Sequence, residues 1–428
     1  MTKVRGRRTG LTAVAGAAAM LLAGCGAVSS ASERTGVAPS RTGPTSPAPS
    51  ASPSPATPAP GASATPRPTA PGRGEGALTV LAGRGYAEYG ASDSAVNWVG
   101  EFERGSGCKV NLRYPQPGTD GMDKLVSQGA FDVVSAPPEV AGRLIAERKA
   151  APLTTSLLPY YQQIPEWLRD QRAFTSGGKV YGVPYLWGYH LTLYDAGALS
   201  RAPQDAPYSD RGPVMLRDSP MSIADAALVL KKRRPALGVE DPFQLTRQQF
   251  DAAVSLLAEK KDAGRSYWTN PVEAVQGFTG GGVRVERALP YTLAVAGGAG
   301  RQVKAVDERG TTTGWVDSWM ISAQAAAPNC AYRWIDWVSS AKPQQQAAAW
   351  NGLAPANPRA CSYDPKGTAG QAARAALAAR VCDAYGVDDD ARIAKIDFAV
   401  RPSKDCGGRD GECTDYADWA AAWQRLVG

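Results

Sequence analysis

The residues best suited to chemistry in this chain are aromatic side chains set beside single carboxylates. Tyr86-Ala87-Glu88-Tyr89 is one such group, and Gly314-Trp315-Val316-Asp317-Ser318-Trp319 is another. Tyr185-Leu186-Trp187-Gly188-Tyr189 is a third aromatic run, entered through Gly182-Val183-Pro184. An aromatic face attracts a cation by about 0.5–2 kcal/mol, most strongly where water is excluded. A nearby carboxylate adds a charge-assisted hydrogen bond. The combination suits an organic amine, held by its charge and walled by rings. Singly, each group reads as well as a packed core aromatic beside a capping acid. Their recurrence in one chain favours a site.

Most other chemistry lacks its residues. The chain has one histidine, His190, which removes HExxH zinc sites and most Ser-His-Asp arrangements. His190 sits in the alternating stretch Tyr189–Tyr194 and reads as a structural histidine at a strand. No GxSxG elbow and no P-loop pattern occurs. Glycan hydrolysis by two carboxylates stays open, because any pair of acids about 5–10 Å apart would serve. No metal and no cofactor are expected, since the cysteines form no CxxC pair and have no histidine near them.

The amino terminus dictates where the chain works. Lys3, Arg5, Arg7 and Arg8 precede an uncharged run from Gly10 to Gly24, too short for a bilayer span, which takes about 20 apolar residues. The run closes as Leu22-Ala23-Gly24-Cys25, a bacterial lipobox. Residues 1–24 are therefore expected to be a cleaved signal peptide. Cys25 is expected to carry lipid at the extracytoplasmic face of the membrane, where two or more acyl chains make a stable anchor. Arg7-Arg8-Thr9-Gly10-Leu11 fits a twin-arginine export signal and an ordinary basic segment equally. Residues 25–75 are rich in Pro, Ser, Ala, Thr and Gly, and cannot bury enough apolar surface to offset their ordering entropy. They read as a disordered stalk. Of the formal charge of +7, residues 1–75 carry +6, so the remainder is nearly neutral and gives no footprint for nucleic acid.

Six cysteines besides Cys25 favour disulfides in an oxidising compartment, with 15 possible connectivities. Cys406–Cys413 is the first expected pair, close in sequence across a Gly-rich loop. Cys330–Cys361 is the second expectation, and Cys108–Cys382 is what remains.

Elements able to position the aromatic and acidic groups follow from hydrophobic period. Leu78–Ala82, Cys108–Leu112 and Phe131–Val134 read as strands. Helices are expected through Val96, Val99 and Phe102, and from Met122 to Ser127. Thr246 and Gln249 make a capping box before the stripe Phe250, Val254 and Leu257, in a helix running to about Lys261. The Ala-rich stretch Gln371–Ala384 is a further helix. Strands alternating with helices argue for an α/β fold. Tyr86, Glu88 and Tyr89 then follow the first strand at the carboxyl edge of the sheet, where such folds bind ligands.

From Ala77 onward the residues resemble a known family in order. Leu78-Thr79-Val80, Glu101-Phe102-Glu103 and Gly107-Cys108-Lys109-Val110 look like its opening motifs, and Phe131-Asp132-Val133-Val134 like its next strand. Tyr181–Gly188, Trp315–Ile321, Ala331–Val338 and Leu353-Ala354-Pro355-Ala356-Asn357 look like its later segments. The family is the extracellular solute-binding proteins of ABC transporters, of the spermidine/putrescine-binding type. The resemblance implies a two-lobed periplasmic-binding-protein-like fold (type II) with a hinge between lobes. It divides the chain into lobe 1 (76–188), lobe 2 (189–316), a return to lobe 1 (317–360) and a last part of lobe 2 (361–428). Crossings are implied near Trp187–Tyr189, Trp315 and residue 360.

The resemblance also implies contacts and partners. Tyr86, Glu88, Tyr89, Trp187, Asp218, Trp315 and Asp317 would bind a polyamine-like cation, with Trp315 stacking on the amine and Asp317 pairing its ammonium. An ABC permease would be the protein partner, and the binding protein itself a monomer without enzymatic activity. The hydroxyl and tyrosine that the family places after its third strand are here Ser135-Ala136-Pro137-Pro138. Met221 stands where the family has a glutamate, and Leu353 where it has a tyrosine. One ammonium position is retained, which leaves a smaller or monocationic amine open. A sugar or other neutral solute is the alternative among binding proteins, and a stalked cell-wall carbohydrate hydrolase is the alternative among enzymes.

Overall fold

In the computed structural model the apolar runs become the strands of two sheets. The structure describes residues 68–428 except 71, 92, 117–119, 210–211, 260–263, 307–309 and 410. The expected signal peptide, Cys25 and the stalk up to residue 67 lie outside the described residues. In chain order the strands are β1 (Ala77–Leu81), β2 (Lys109–Arg113), β3 (Val133–Ala136), β4 (Thr175–Ser176), β5 (Lys179–Val180), β6 (Gly182–Tyr189) and β7 (Leu191–Asp195). They continue as β8 (Val214–Arg217), β9 (Arg265–Trp268), β10 (Val285–Ala288), β11 (Val303–Ala305), β12 (Thr312–Ile321), β13 (Ala354–Pro355) and β14 (Ile396–Phe398).

The fold is two-lobed α/β. The first lobe is built on the order β13-β6-β12-β3-β1-β2, with β14 also against β12; the second on β11-β7-β10-β8-β9. β4 and β5 form a small separate pair. β1, β2 and β3 are parallel, as βαβ connections require, whereas β12 enters antiparallel to both of its neighbours, β3 and β6. Helix Trp98–Ser106 packs Trp98, Val99 and Phe102 inward, with the Asn97 side chain capping its start and Gly107, at φ +72°, closing it.

The lobes join where β6 runs into β7 with only His190 between them. β12 begins beside that point, its Thr313 carbonyl accepting the His190 amide. The expected lobe boundary at 316/317 falls inside this unbroken strand. A third crossing is expected near residue 360, and beyond it helix Ala369–Tyr385 packs on both helix Ala341–Asn351 and helix Pro290–Gly298 of the second lobe. β13 pairs with β6 and β14 with β12, so the chain is again with the first sheet at Phe398. It then passes Ala399, whose amide donates to Gly314, toward the terminal helix Tyr416–Val427.

Two expected disulfides are corrected. The bonds are Cys108–Cys330, Cys361–Cys382 and Cys406–Cys413. Helix Pro328–Ser339 packs against β1, which brings Cys330 to Cys108 at the entrance of β2. Helix Ala369–Tyr385 folds back on helix Ala341–Asn351, which leaves Cys382 facing Cys361.

The end of the expected stalk is ordered as well. Glu75 accepts the amides of Asn329 (2.9 Å) and Cys330 (2.8 Å) at the start of helix Pro328–Ser339. Gly72 bonds Asn329 and Arg333, and Pro68 accepts from Thr154. Composition places Pro68, Gly72 and Glu75 in the stalk, but these contacts hold them on the first lobe.

Candidate functional site

The crossing segments form the floor of a cleft. His190, Thr313, Gly314 and Ala399 line it from the hinge, with Trp315 above them. Pro137, Pro138 and Glu139 contribute from the first lobe, and Arg217, Ser219, Met221 and Phe243 from the second.

Strand geometry aims the central pair. Trp315 and Asp317 are two apart on β12 and so share a face. The β6–β12 register steps from Asp317↔Leu186 to Ser318↔Pro184, which makes Tyr185 the extra residue of a bulge. Pro184, with no N–H to donate, is tolerated at such an irregularity. Trp315 lies over Gly188 of β6, where an added Cβ would come within 2.8 Å of its ring. Tyr86, in the turn after β1, donates from its hydroxyl to Asp317 Oδ2, and Trp315 Nε1 donates to the same oxygen at 3.2 Å. Tyr185 packs against Tyr86 at 5.6 Å between centroids and donates to its carbonyl.

The electrostatics follow from burial. Burial lifts the Asp317 carboxyl to about 6, against the lowering influence of Tyr86, Arg217 and Trp315. Burial, then the charge of Asp317, pushes the Tyr86 phenol well up. Burial also raises Glu139 to about 7. The guanidinium of Arg217 lies 4.1 Å from the Trp315 ring centroid and 5.8 Å from that of Trp268.

Of the seven expected ligand contacts, Tyr86, Trp315 and Asp317 come together here and four do not. Trp187 points to the opposite face of β6 from Gly188, into a buried cluster with Trp167, Tyr385 and Phe398. Its indole donates to the Pro355 carbonyl. Asp218 alternates with Arg217 at the end of β8 and accepts from the Trp423 indole at 2.7 Å. Glu88, raised by burial, is held by the Gly85 backbone and Trp350. Tyr89 is 51% exposed beyond it.

Sequence reasoning missed Arg217 and Glu139 as cleft residues. No local motif marks either, since their partners lie on other elements. It read His190 as structural, and a buried network does hold that ring. Asp225 accepts from Arg287 at 2.7 Å and from the Thr313 hydroxyl at 2.6 Å. With the Thr313 proton so committed, the His190 Nδ1 contact to Thr313 Oγ1, at 3.0 Å, assigns the imidazole proton to Nδ1. Burial lowers the His190 pKa, against the pull of Asp225, so the ring is neutral. Nε2 is then an acceptor, buried without a partner. Among the described residues no group of three or more potential ligands could hold a metal ion.

The sequence matches the family model described as bacterial extracellular solute-binding protein over residues 97–375. Solved structures share the fold. A spermidine/putrescine ABC transporter protein of Listeria monocytogenes is 16% identical, with 82% of this chain and 98% of that chain covered and a TM-score of 0.61. The TpPotD lipoprotein of Treponema pallidum is 14% identical, with 82% and 99% covered and a TM-score of 0.59. The binding protein MotA of A. tumefaciens B6, in complex with glucopine, is 15% identical, with 82% and 100% covered and a TM-score of 0.52.

Proposed function

The chain belongs to the bacterial extracellular solute-binding proteins, and from that premise we propose that it captures an organic amine between its lobes and delivers it to an ABC-transporter permease. It is a binding protein rather than an enzyme, so the hydrolase reading falls away, and its place is outside the cytoplasm. The observation that carries the amine reading is the buried carboxylate of Asp317, framed by Tyr86 and Trp315 beside the cleft floor. A carboxylate among aromatic rings rewards a ligand that brings a positive charge. Spermidine and putrescine, named for the Listeria protein, are such ligands. The lipid anchor is proposed at Cys25, in keeping with the lipobox and with a lipoprotein among the similar structures.

Calorimetric titration with a panel of organic amines, amino carboxylates and diamines among them, tests the assignment. Asp317→Ala is expected to weaken amine binding at least tenfold. Unchanged affinity in that variant would mean that Asp317 does not hold the ligand.

A further inference from the structure

Arg217 occupies the place that a simple cation would want. Its guanidinium is stacked on Trp315, the ring expected to receive the amine, at 4.1 Å. Stacking uses the face of the guanidinium plane and leaves its N–H edges free. Among the described residues no carboxylate, carbonyl or hydroxyl is within hydrogen-bond or ion-pair distance of them, and the side chain lines the cleft. A planar fork of unused donors in a partly dry cleft matches a carboxylate, which it can bind through two parallel hydrogen bonds.

Acceptors face the same space. Glu139 and His190 line the cleft together with Arg217, and Asp317 is tied to its Trp315 wall by the indole hydrogen bond. His190 adds Nε2, a buried lone pair with no protein donor. A ligand with only positive charge would meet Arg217 on the Trp315 face and be repelled. A ligand carrying one ammonium and one carboxylate would satisfy both sets.

We infer that the solute is a zwitterionic amino carboxylate, its carboxylate taken by Arg217 and its ammonium by the acceptors Asp317, Glu139 and His190 Nε2. This rests on the reading above that the cleft holds an amine. Arg217 sets the specificity, because it converts an amine site into one that rejects diamines.

The test is calorimetry on the purified full-length chain. One series of probes is amino carboxylates with one to five carbons between the charged groups; the other is the matching diamines. The best amino carboxylate is expected to bind at least tenfold tighter than the best diamine. Arg217→Met is expected to lose that ligand tenfold or more, while diamine binding stays level or improves. Arg217→Lys keeps the charge without the fork and is expected to fall between. Thermal melting of both variants separates misfolding from lost contact. Diamines equalling amino carboxylates in the wild type would overturn the inference, as would full amino-carboxylate affinity in a folded Arg217→Met. Binding of either series that ignores Asp317→Ala would instead bring down the amine reading beneath it.

Discussion

Asp317 concentrates the consequences of burial in one side chain. Its carboxyl is lifted to about 6 by burial, so near neutral pH it is close to its titration range. Ammonium binding requires the ionised form. With Glu139 raised to about 7 in the same cleft, affinity begins to soften below pH 8 and falls further as the pH drops through 6, approaching tenfold per unit once the Asp317 carboxyl is protonated. A titration series from pH 8 to pH 5 checks this; affinity constant to pH 5 would show that Asp317 is not the counter-charge. The pairing of Trp315 with Asp317 was legible in the sequence as an aromatic beside a carboxylate, and β12 puts both on one face. Arg217 was not, because its ring partner is contributed by another strand far along the chain. Trp187 misled for a related reason: an aromatic motif does not reveal which face of its strand is the inner one.

At the scale of elements, local signals were written plainly and distant ones were not. The expected capping box Thr246/Gln249 forms and opens a helix that buries Phe250 and Leu257 of the expected stripe, and a second box, Thr368/Gln371, opens the Ala-rich helix. The first three strands sit within two residues of where the apolar runs place them. The disulfides depend on which helices pack together, which spacing alone does not contain. β10 carries a pattern that the sequence also hides. Glu286, fully buried, has no partner for either carboxylate oxygen, and burial pushes its pKa well up. Next to it Arg287 pairs with Asp225, whose carboxyl burial would raise but Arg287 and His190 hold well below its usual range. The signs oppose. Asp225 contributes stability above its unfolded pKa, and this is lost as pH falls through the acid range. Glu286 stays protonated when folded and ionises when unfolded, so stability declines as pH rises above the ordinary carboxylate range. Glu286→Gln is expected to flatten that decline above the ordinary carboxylate range, where each pH unit is worth at most about 1.4 kcal/mol. Denaturant melts at several pH values measure it, and an unaltered slope would refute the assignment.

For the whole molecule, the crossings at His190, Thr313–Gly314 and Ala399 lie side by side beneath the cleft. A solute bound above them touches both lobes at once, as hinge closure requires. Delivery to a membrane permease also needs the protein to stay near that membrane. Among the described residues no helix is long and apolar enough to cross a bilayer. The lipid anchor proposed at Cys25 would supply the alternative. Cys25→Ser is expected to move the protein from the membrane fraction to the medium, followed by fractionation and immunoblotting. Retention of the variant in the membrane fraction would sink the proposed anchor.

The contacts of Pro68, Gly72 and Glu75 decide where a pull on the proposed tether would enter the fold. Tension arriving ahead of Pro68 would pass through the Gly72 and Glu75 hydrogen bonds into helix Pro328–Ser339. The Cys108–Cys330 bond then shares the load with the first sheet. His190, Thr313 and Ala399 make none of these contacts. A pull on the proposed anchor would therefore reach the first lobe at the start of helix Pro328–Ser339 before it reached the crossings.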